Sequence, residues 1–335
     1  MRVDGGLTMD LDKVEDSIRE LEELGYDGAL VAETAHDPFL PLVLAARSSE
    51  RIELMTSIAV AFARSPMTLA NIGHDLNAFS KGRFTLGLGS QIKPHITKRF
   101  SMEWGAPAKQ MREFISAMRA IWACWHQGEK LDFRGEYYQH TLMTPMFTPT
   151  NVEYGAPRVF LAAVGPLMTQ VAGEVADGII IHAFTTEEYL RTVTMPAIEK
   201  GLEKGGRSRE DFQVTYPAFV VTGVDEQSFE QARTIATRQI AFYGSTPAYK
   251  GVLDSIDAGE LQGVLNGMSK EGKWEEMGTL ITDDILNKFA VVGEPKDIAA
   301  EMSKRFGGLV DRVSSAYGTV PKAVQKEIIA DLRAA

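Results

Sequence analysis

The sequence predicts an α/β protein folded as a (β/α)8 TIM barrel with insertions at the active-site face. Three observations carry that expectation. Buried, β-branched runs begin near residues 2, 29, 52, 84, 158, 178, 212 and 310, which makes eight. Segments of helical length separate them, and in the first 91 residues no tight turn joins neighbouring runs as a hairpin would. The rival doubly wound sheet usually carries G-x-G-x-x-G after its first strand, and Asp4-Gly5-Gly6-Leu7 does not match it. Eight strand–helix units fit residues 1–335 as one domain, with excursions at about 127–157 and 243–288.

Taken in order, Arg2 to Gly6 reads as the first strand. Leu11, Val14, Ile18, Leu21 and Leu24 fall at spacings of three and four, the apolar stripe of a helix from Asp10 to Leu24 that Gly25 closes. Ala29 to Ala32 is the second strand and runs into Glu33-Thr34-Ala35-His36-Asp37-Pro38. A helix from about Phe39 to Ser49 follows. Ile52 to Val60 is a third, doubly buried strand. Ser65 is the N-cap and Pro66 the first residue of the next helix, which ends at Lys81-Gly82. Phe84 to Gly89 is the fourth strand.

A polar, basic stretch with Lys93, His95, Lys98 and Arg99 leads to a long helix from Pro107 to His126. Residues 127–157, rich in Gly and Pro, read as a loop excursion with a small hairpin. Alternation then resumes with strands at Arg158–Ala163, Gly178–Ile181 and Phe212–Thr222. Helices are expected at Leu167–Ala176, Glu187–Lys204 and Glu226–Phe242. Residues 243–288 read as irregular with short helical pieces. Phe289 to Val292 precedes a helix from Pro295 to Phe306, a strand at Val310–Ser314 and a helix at Val320–Leu332.

Composition bounds the function. Hydrophobic content of 44% and charged content of 24% are ordinary for a globular protein, and a net charge of -10 argues against a broad nucleic-acid surface. The single cysteine, Cys124, excludes an intrachain disulfide and reads as core packing. No run approaches the ~20 apolar residues of a membrane span, and no signal-peptide pattern opens the chain, so a cytoplasmic location is expected. No H-E-x-x-H, C-x-x-C or P-loop motif is present.

In a barrel the chemistry lies at the carboxyl ends of the strands. That rule selects Asp4, Glu33, Thr34, His36, Ser57-Ile58, Gly89-Ser90-Gln91, Gly165-Pro166, His182 and Ser314-Ser315. Glu33 directly follows an apolar strand, where a carboxylate must meet a loop arginine or a ligand. His36 is equally a positioned site residue or a loop histidine. Gly165-Pro166 opens a helix after a strand, a place where free N–H groups favour an anion. His74 reads as structural, and His126 and His140 receive no role.

Several stretches together resemble the bacterial luciferase-like family, and within it the coenzyme F420-dependent oxidoreductases. They are Gly25-Tyr26-Asp27-Gly28 with Glu33-Thr34-Ala35-His36-Asp37-Pro38-Phe39, Thr56-Ser57-Ile58-Ala59-Val60-Ala61-Phe62-Ala63-Arg64-Ser65-Pro66, and Gly82-Arg83-Phe84-Thr85-Leu86-Gly87-Leu88-Gly89-Ser90-Gln91. Ala176-Asp177-Gly178, Phe242-Tyr243-Gly244-Ser245-Thr246-Pro247-Ala248-Tyr249 and Val291-Val292-Gly293-Glu294-Pro295 extend the match along nearly the whole chain.

The resemblance implies a cofactor across the strand ends and a non-proline cis peptide at Ser57–Ile58 against its ring. It implies Val60 and Gly89-Ser90-Gln91 beside the cofactor, Gly165-Pro166 and His182 at its phosphate, and Glu33 near the ring. It further implies a homodimer acting on a small-molecule substrate. The sugar-phosphate dehydrogenases of the family carry a histidine base where Thr34 stands and an acidic residue where Ser90 stands. That departure argues against sugar-phosphate oxidation and leaves His36, with Thr34 and Glu33, as the catalytic set. The expected activity is hydride transfer between the deazaflavin C5 and a small organic substrate. FMN with monooxygenase chemistry is the alternative. Two readings of another class stay open: a metal-dependent barrel using Asp4, Glu33, His36 and His182, and a non-catalytic flavin-binding barrel.

Overall fold

The computed structural model describes residues 1–315 and 317–335. Its main sheet is a closed parallel barrel of eight strands: Arg2–Gly6, Gly28–Val31, Glu53–Thr56, Phe84–Gly89, Arg158–Ala163, Gly178–Ile181, Gln213–Pro217 and Arg312–Ser314. Around the ring, Glu53–Thr56 neighbours Gly28–Val31, then come the first and last strands, and the order runs back through 213–217, 178–181 and 158–163 to Phe84–Gly89. The pairing of Glu53–Thr56 with Phe84–Gly89, Leu54 opposite Phe84 and Met55 opposite Thr85, closes it. Helices follow the strands as the sequence predicts, among them Val14–Leu24, Phe39–Arg47, Pro66–Phe79 and Pro107–Gln127.

By its internal contacts the chain divides into two compact units. One comprises Gly5–Ile180 and Ala197–Gln213. Within it, polar side chains fasten the loops that precede strands. Glu22 accepts the backbone N–H groups of Glu50, Arg51 and Ile52 at 3.1, 2.7 and 2.9 Å. Arg83 donates to the carbonyls of Ala46, Ser49, Ile52 and Ser80. Asp177 accepts the N–H of Val159 at 2.8 Å and pairs with Arg119 and Arg207. Gly87 is dictated by sheet closure: a Cβ there would lie 1.8 Å from the Thr56 carbonyl oxygen. The Thr56 hydroxyl donates to the Gly87 carbonyl at 2.7 Å across the same gap.

The other unit comprises Met1–Asp4, Ile181–Pro196 and Val214–Ala335. Its apolar core gathers Phe184, Ile240, Leu265 and Phe289, with the Phe184 and Phe289 rings stacked at 4.5 Å. Asp4, a strand-end carboxylate in the sequence reading, is fully buried and held by Arg312 Nε at 2.9 Å and Nη2 at 2.6 Å.

The structure corrects several boundaries. The expected strand Ile52–Val60 is two pieces, Glu53–Thr56 and Ala59–Val60, interrupted at Ser57–Ile58. The expected strand Phe212–Thr222 is also two. Gln213–Pro217 stays in the barrel, while Phe219–Val221 leaves it and pairs in parallel with Ala290–Val292. The helix expected over 187–204 contains a wider π turn at Leu190–Thr194, because Pro196 offers no N–H to continue regular pairing. Residues 243–288 are more helical than expected and include Glu260–Lys270. The 127–157 excursion does carry the hairpin, Phe133–Arg134 against Gln139–His140. Cys124 is only partly buried, and His74 is a buried structural residue bonded to Asn151 at 3.1 Å. Among the described residues no helix is long and apolar enough to cross a membrane.

Removing one partner of a buried ion pair strands the other charge. Arg312→Ala should therefore lower the unfolding free energy by about 3–5 kcal/mol in urea melts. The paired change Asp4→Leu with Arg312→Met should cost far less, and equal losses would refute a pairing role.

Candidate active site

Glu33 lies just past the strand Gly28–Val31 with its side chain only 6% exposed. Its Oε2 accepts the Val60 N–H and an Arg64 Nη1–H, both at 2.7 Å, and its own N–H donates to the Ile58 carbonyl at 3.0 Å. Arg64 also donates to the Val60 carbonyl and to Asp37, which in turn caps the Phe39 N–H at 2.8 Å. Of the two readings open for Glu33, the loop arginine is present. Sequence reasoning missed Arg64 as its partner, although a single cation closing the apolar run 52–63 was the available signal.

This clamp holds the segment after Thr56. The Ser57 N–H donates to the Val31 carbonyl at 2.7 Å, and the Ser57–Ile58 bond is cis, as the resemblance implied. Ile58 is partly exposed and packs beside Met55, Phe160 and Ile180. It lies over Gly89, where a Cβ would come within 2.9 Å of its side chain. Gly89 is therefore required for Ile58 to occupy the strand end. Val60, expected at the cofactor, is fully buried and gives its N–H to Glu33, so it supports the wall from behind.

Beyond Gly89 the chain turns sharply. Gln91 takes a left-handed conformation, φ +59°, and its side chain accepts the Ile92 N–H at 3.0 Å. Ser90 donates to the Gln91 carbonyl at 3.1 Å. The π turn His95–Arg99, anchored by buried Ile96, brings Arg99 Nη2 to 2.6 Å from the Thr34 carbonyl. Lys93 and Lys98 on this segment are exposed. The Thr34 hydroxyl makes only a weak contact to Met9 Sδ at 3.6 Å, and His36 is exposed with no hydrogen bond to any described residue. Gly165, at φ +77° with open space where a Cβ would sit, precedes the helix Pro166–Val175. The first-turn N–H groups of that helix suit an anion.

His182, in the other unit, follows the strand Gly178–Ile181. Its Nδ1 accepts the Phe184 N–H at 3.0 Å, and its Nε2 lies 3.3 Å from the Tyr249 hydroxyl. Burial pushes its pKa down to about 4, so it is neutral at pH 7. A neutral imidazole with both nitrogens engaged does not suit the phosphate-holding role expected of it. Tyr243 and Tyr249, which sequence reasoning gave no role, wall the ring at centroid distances of 4.6 Å each.

In the first unit, Gly89 lies beneath Ile58, the turn at Gly165 is open, and Lys93, Lys98 and Arg99 are exposed on the segment beyond Gln91. A model of the luciferase-like monooxygenase family matches residues 2–312. The chain belongs to that family. This luciferase-like protein is 52% identical over 313 residues to an uncharacterized protein of Mycobacterium tuberculosis, covering 93% of this chain and 92% of the relative. It is 26% identical over 333 residues to the 5,10-methylenetetrahydromethanopterin reductase of Archaeoglobus fulgidus, covering 96% of each. The solved coenzyme F420-dependent tetrahydromethanopterin reductase from Methanopyrus kandleri shares the fold, with TM-score 0.77, 18% identity, and 99% of this chain and 98% of that one covered.

A pH prediction follows from His182. Its folded pKa, about 4, lies below the unfolded value of about 6.5. Between those values the unfolded chain takes up a proton that the folded chain refuses, so stability falls as pH drops through that window. The His182 ring resonance should show no titration between pH ~8 and ~5.5 in proton NMR; a midpoint above pH ~6 would contradict its burial.

Proposed function

We propose that this protein is an oxidoreductase that uses coenzyme F420 and moves a hydride between the deazaflavin C5 and a small organic substrate. The observation that carries the reading is the pairing of a ring-sized wall, Ile58 over Gly89, with a basic segment, Lys93, Lys98 and Arg99, on the same loop that leaves Gly89. A phosphate alone is served by the helix N-terminus at Gly165-Pro166. A longer anionic tail gives the basic segment its use, which favours F420 over FMN. A structural relative named for coenzyme F420 supports the same choice.

The cofactor, when bound, supplies the hydride chemistry. The chain's own residues do the rest. Ile58 backs the ring, Ser57 and Ser90-Gln91 present polar groups at its edge, and Gly165-Pro166 offers N–H groups to phosphate. Glu33 acts through Arg64 and Val60 by fixing that wall. His36 and Thr34, both exposed past the same strand, are the polar groups left to meet substrate and exchange its proton. The metal-dependent reading is weakened because two of its four ligands, Asp4 and Glu33, are committed to arginines. The reading treats residues 1–335 as one barrel domain with excursions at 127–157 and 243–288.

Fluorescence titration tests the cofactor. F420 should bind at micromolar concentration, with affinity that falls as salt rises. Lys98→Glu with Arg99→Glu should weaken F420 about tenfold or more while leaving FMN almost unaffected, because only the anionic tail meets that segment. Tight FMN binding with no F420 binding at micromolar levels would overturn the assignment.

The homodimer is retained as part of the proposal. Leu40, Val43 and Phe79, on Phe39–Arg47 and Pro66–Phe79, stay 57%, 42% and 52% exposed, an apolar face suited to a second copy. Light scattering should give twice the chain mass, and Val43→Glu with Phe79→Glu should give the single-chain mass. A monomeric wild type would refute it.

A further inference from the structure

The excursion 127–157 leaves the helix Pro107–Gln127 at its C-terminal end and returns to its N-terminal end. At about 1.5 Å per helical residue, Glu113 lies roughly 20 Å back from Gln127, a span that 128–136 can cover at about 3.3 Å per extended residue. There Glu113 closes the turn of the hairpin Phe133–Arg134 and Gln139–His140. Its carboxylate accepts three successive backbone N–H groups, those of Glu136, Tyr137 and Tyr138, at 2.9, 2.7 and 2.6 Å. Gly135 is required by that contact: a Cβ there would lie 2.0 Å from Glu113 Oε1, although its φ is not left-handed. Strands of two residues do not hold a hairpin together in water, so the carboxylate decides whether this one is ordered.

The ordered turn holds the segment that leads out of the basic stretch. Gln110 Nε2 donates to the Tyr138 hydroxyl at 3.0 Å, and its Oε1 accepts the Gly105 N–H at 3.2 Å. The Tyr137 hydroxyl accepts the Ala106 N–H at 3.4 Å, and a Cβ on Gly105 would come within 2.5 Å of the Tyr137 ring. Gly105 and Ala106 close the stretch that begins at Gln91 and carries Lys93, Lys98 and Arg99. Left-handed residues that are not glycine bracket its basic turn, Gln91 at φ +59° and Ser101 at φ +56°, a conformation that persists only where surrounding contacts hold it. The same prop reaches the element behind the ring wall. Tyr138 stands edge-on to Phe114 at 5.3 Å, and Phe62, in the turn after Val60, meets Phe114 at 6.5 Å and Trp104 at 5.8 Å.

We propose that Glu113 is a positioning residue for the cofactor: through the turn 135–138 it fixes residues 102–106, and with them the basic segment that meets the anionic tail of F420. This rests on the F420 reading, while its mechanical part, the order of 102–106, is read without any cofactor. Charges on long, exposed side chains add affinity only when the backbone that carries them is already in place, because binding otherwise has to order it. The hairpin supplies that order from outside the barrel, and Glu113 acts through it alone.

The test has two parts. Hydrogen exchange of the full chain, followed by NMR, reads the first. Glu113→Ala and Gly135→Ala should each speed exchange of the Met102 and Gly105 N–H groups about tenfold or more. Ile115 and Trp122, core residues of the same helix, should change much less, which separates local loosening from loss of the fold. Glu113→Gln, which keeps one acceptor oxygen, should fall between wild type and Glu113→Ala. The double variant Glu113→Ala with Gly135→Ala should be no worse than either single one, since both act through one contact. Fluorescence titration reads the second part. Either single variant should weaken F420 about three- to tenfold and leave FMN, which has no long anionic tail, within about twofold of wild type. Unchanged exchange at 102 and 105 in Glu113→Ala, or additive losses in the double variant, overturns the proposal. Faster exchange with wild-type F420 affinity overturns the role toward the cofactor. A wild type that binds FMN and not F420 overturns the cofactor reading and the tail's part in this proposal, and the exchange result still decides the hairpin's.

Discussion

The Glu33 carboxylate, taken out of water just past an apolar strand, is the constraint on which the candidate site depends. A buried carboxylate without partners would cost several kcal/mol. Here one oxygen receives a backbone N–H from Val60 and a guanidinium N–H from Arg64, both charge-assisted bonds at 2.7 Å. Those two bonds tie the end of the second strand to the segment that leaves the third. Arg64 then reaches Asp37, and Asp37 caps the helix Phe39–Arg47, so one ion-paired network sets where three consecutive elements begin and end. Ser57 and Ile58, at the cis peptide, are placed by that network and are not part of it.

Close approach is the second constraint. Glycine at 87 lets two barrel strands meet, since a Cβ would run into the Thr56 carbonyl. Glycine at 89 leaves room for the Ile58 side chain to fold onto the strand end. Two residues apart on one strand, they face the same side of the sheet. One serves closure of the barrel and the other shapes the wall.

The second unit solves the problem of buried polarity differently. Asp4 and Arg312 neutralise each other inside it, while His182 stays neutral because burial opposes its charge. The ion pair is therefore a structural lock. The histidine, by contrast, keeps a directional donor and acceptor, which lets it orient a neighbour. The difference follows from what each group can do when desolvated: a guanidinium cannot shed its proton, whereas an imidazole can.

The sequence by itself determined the eight strands, the order of the helices, the excursion at 127–157 and the family. Each of these is written in local periodicity or in contiguous residues such as Thr56-Ser57-Ile58 and Gly87-Leu88-Gly89. Tertiary structure decided what depends on contact between distant residues. Arg64 meets Glu33 across 31 positions, Tyr249 meets His182 across 67, and Arg312 meets Asp4 across 308. Nothing in the neighbouring residues announces such pairs. The run 212–222 read as one strand because it is rich in β-forming residues, although Pro217-Ala218 stands at the point where it divides. It is split because Phe219–Val221 finds a partner in Ala290–Val292, which only the folded chain brings beside it. The strand-end rule likewise selected His182 but could not give its charge, which is set by how deeply its surroundings bury it, and burial is a property of the folded chain.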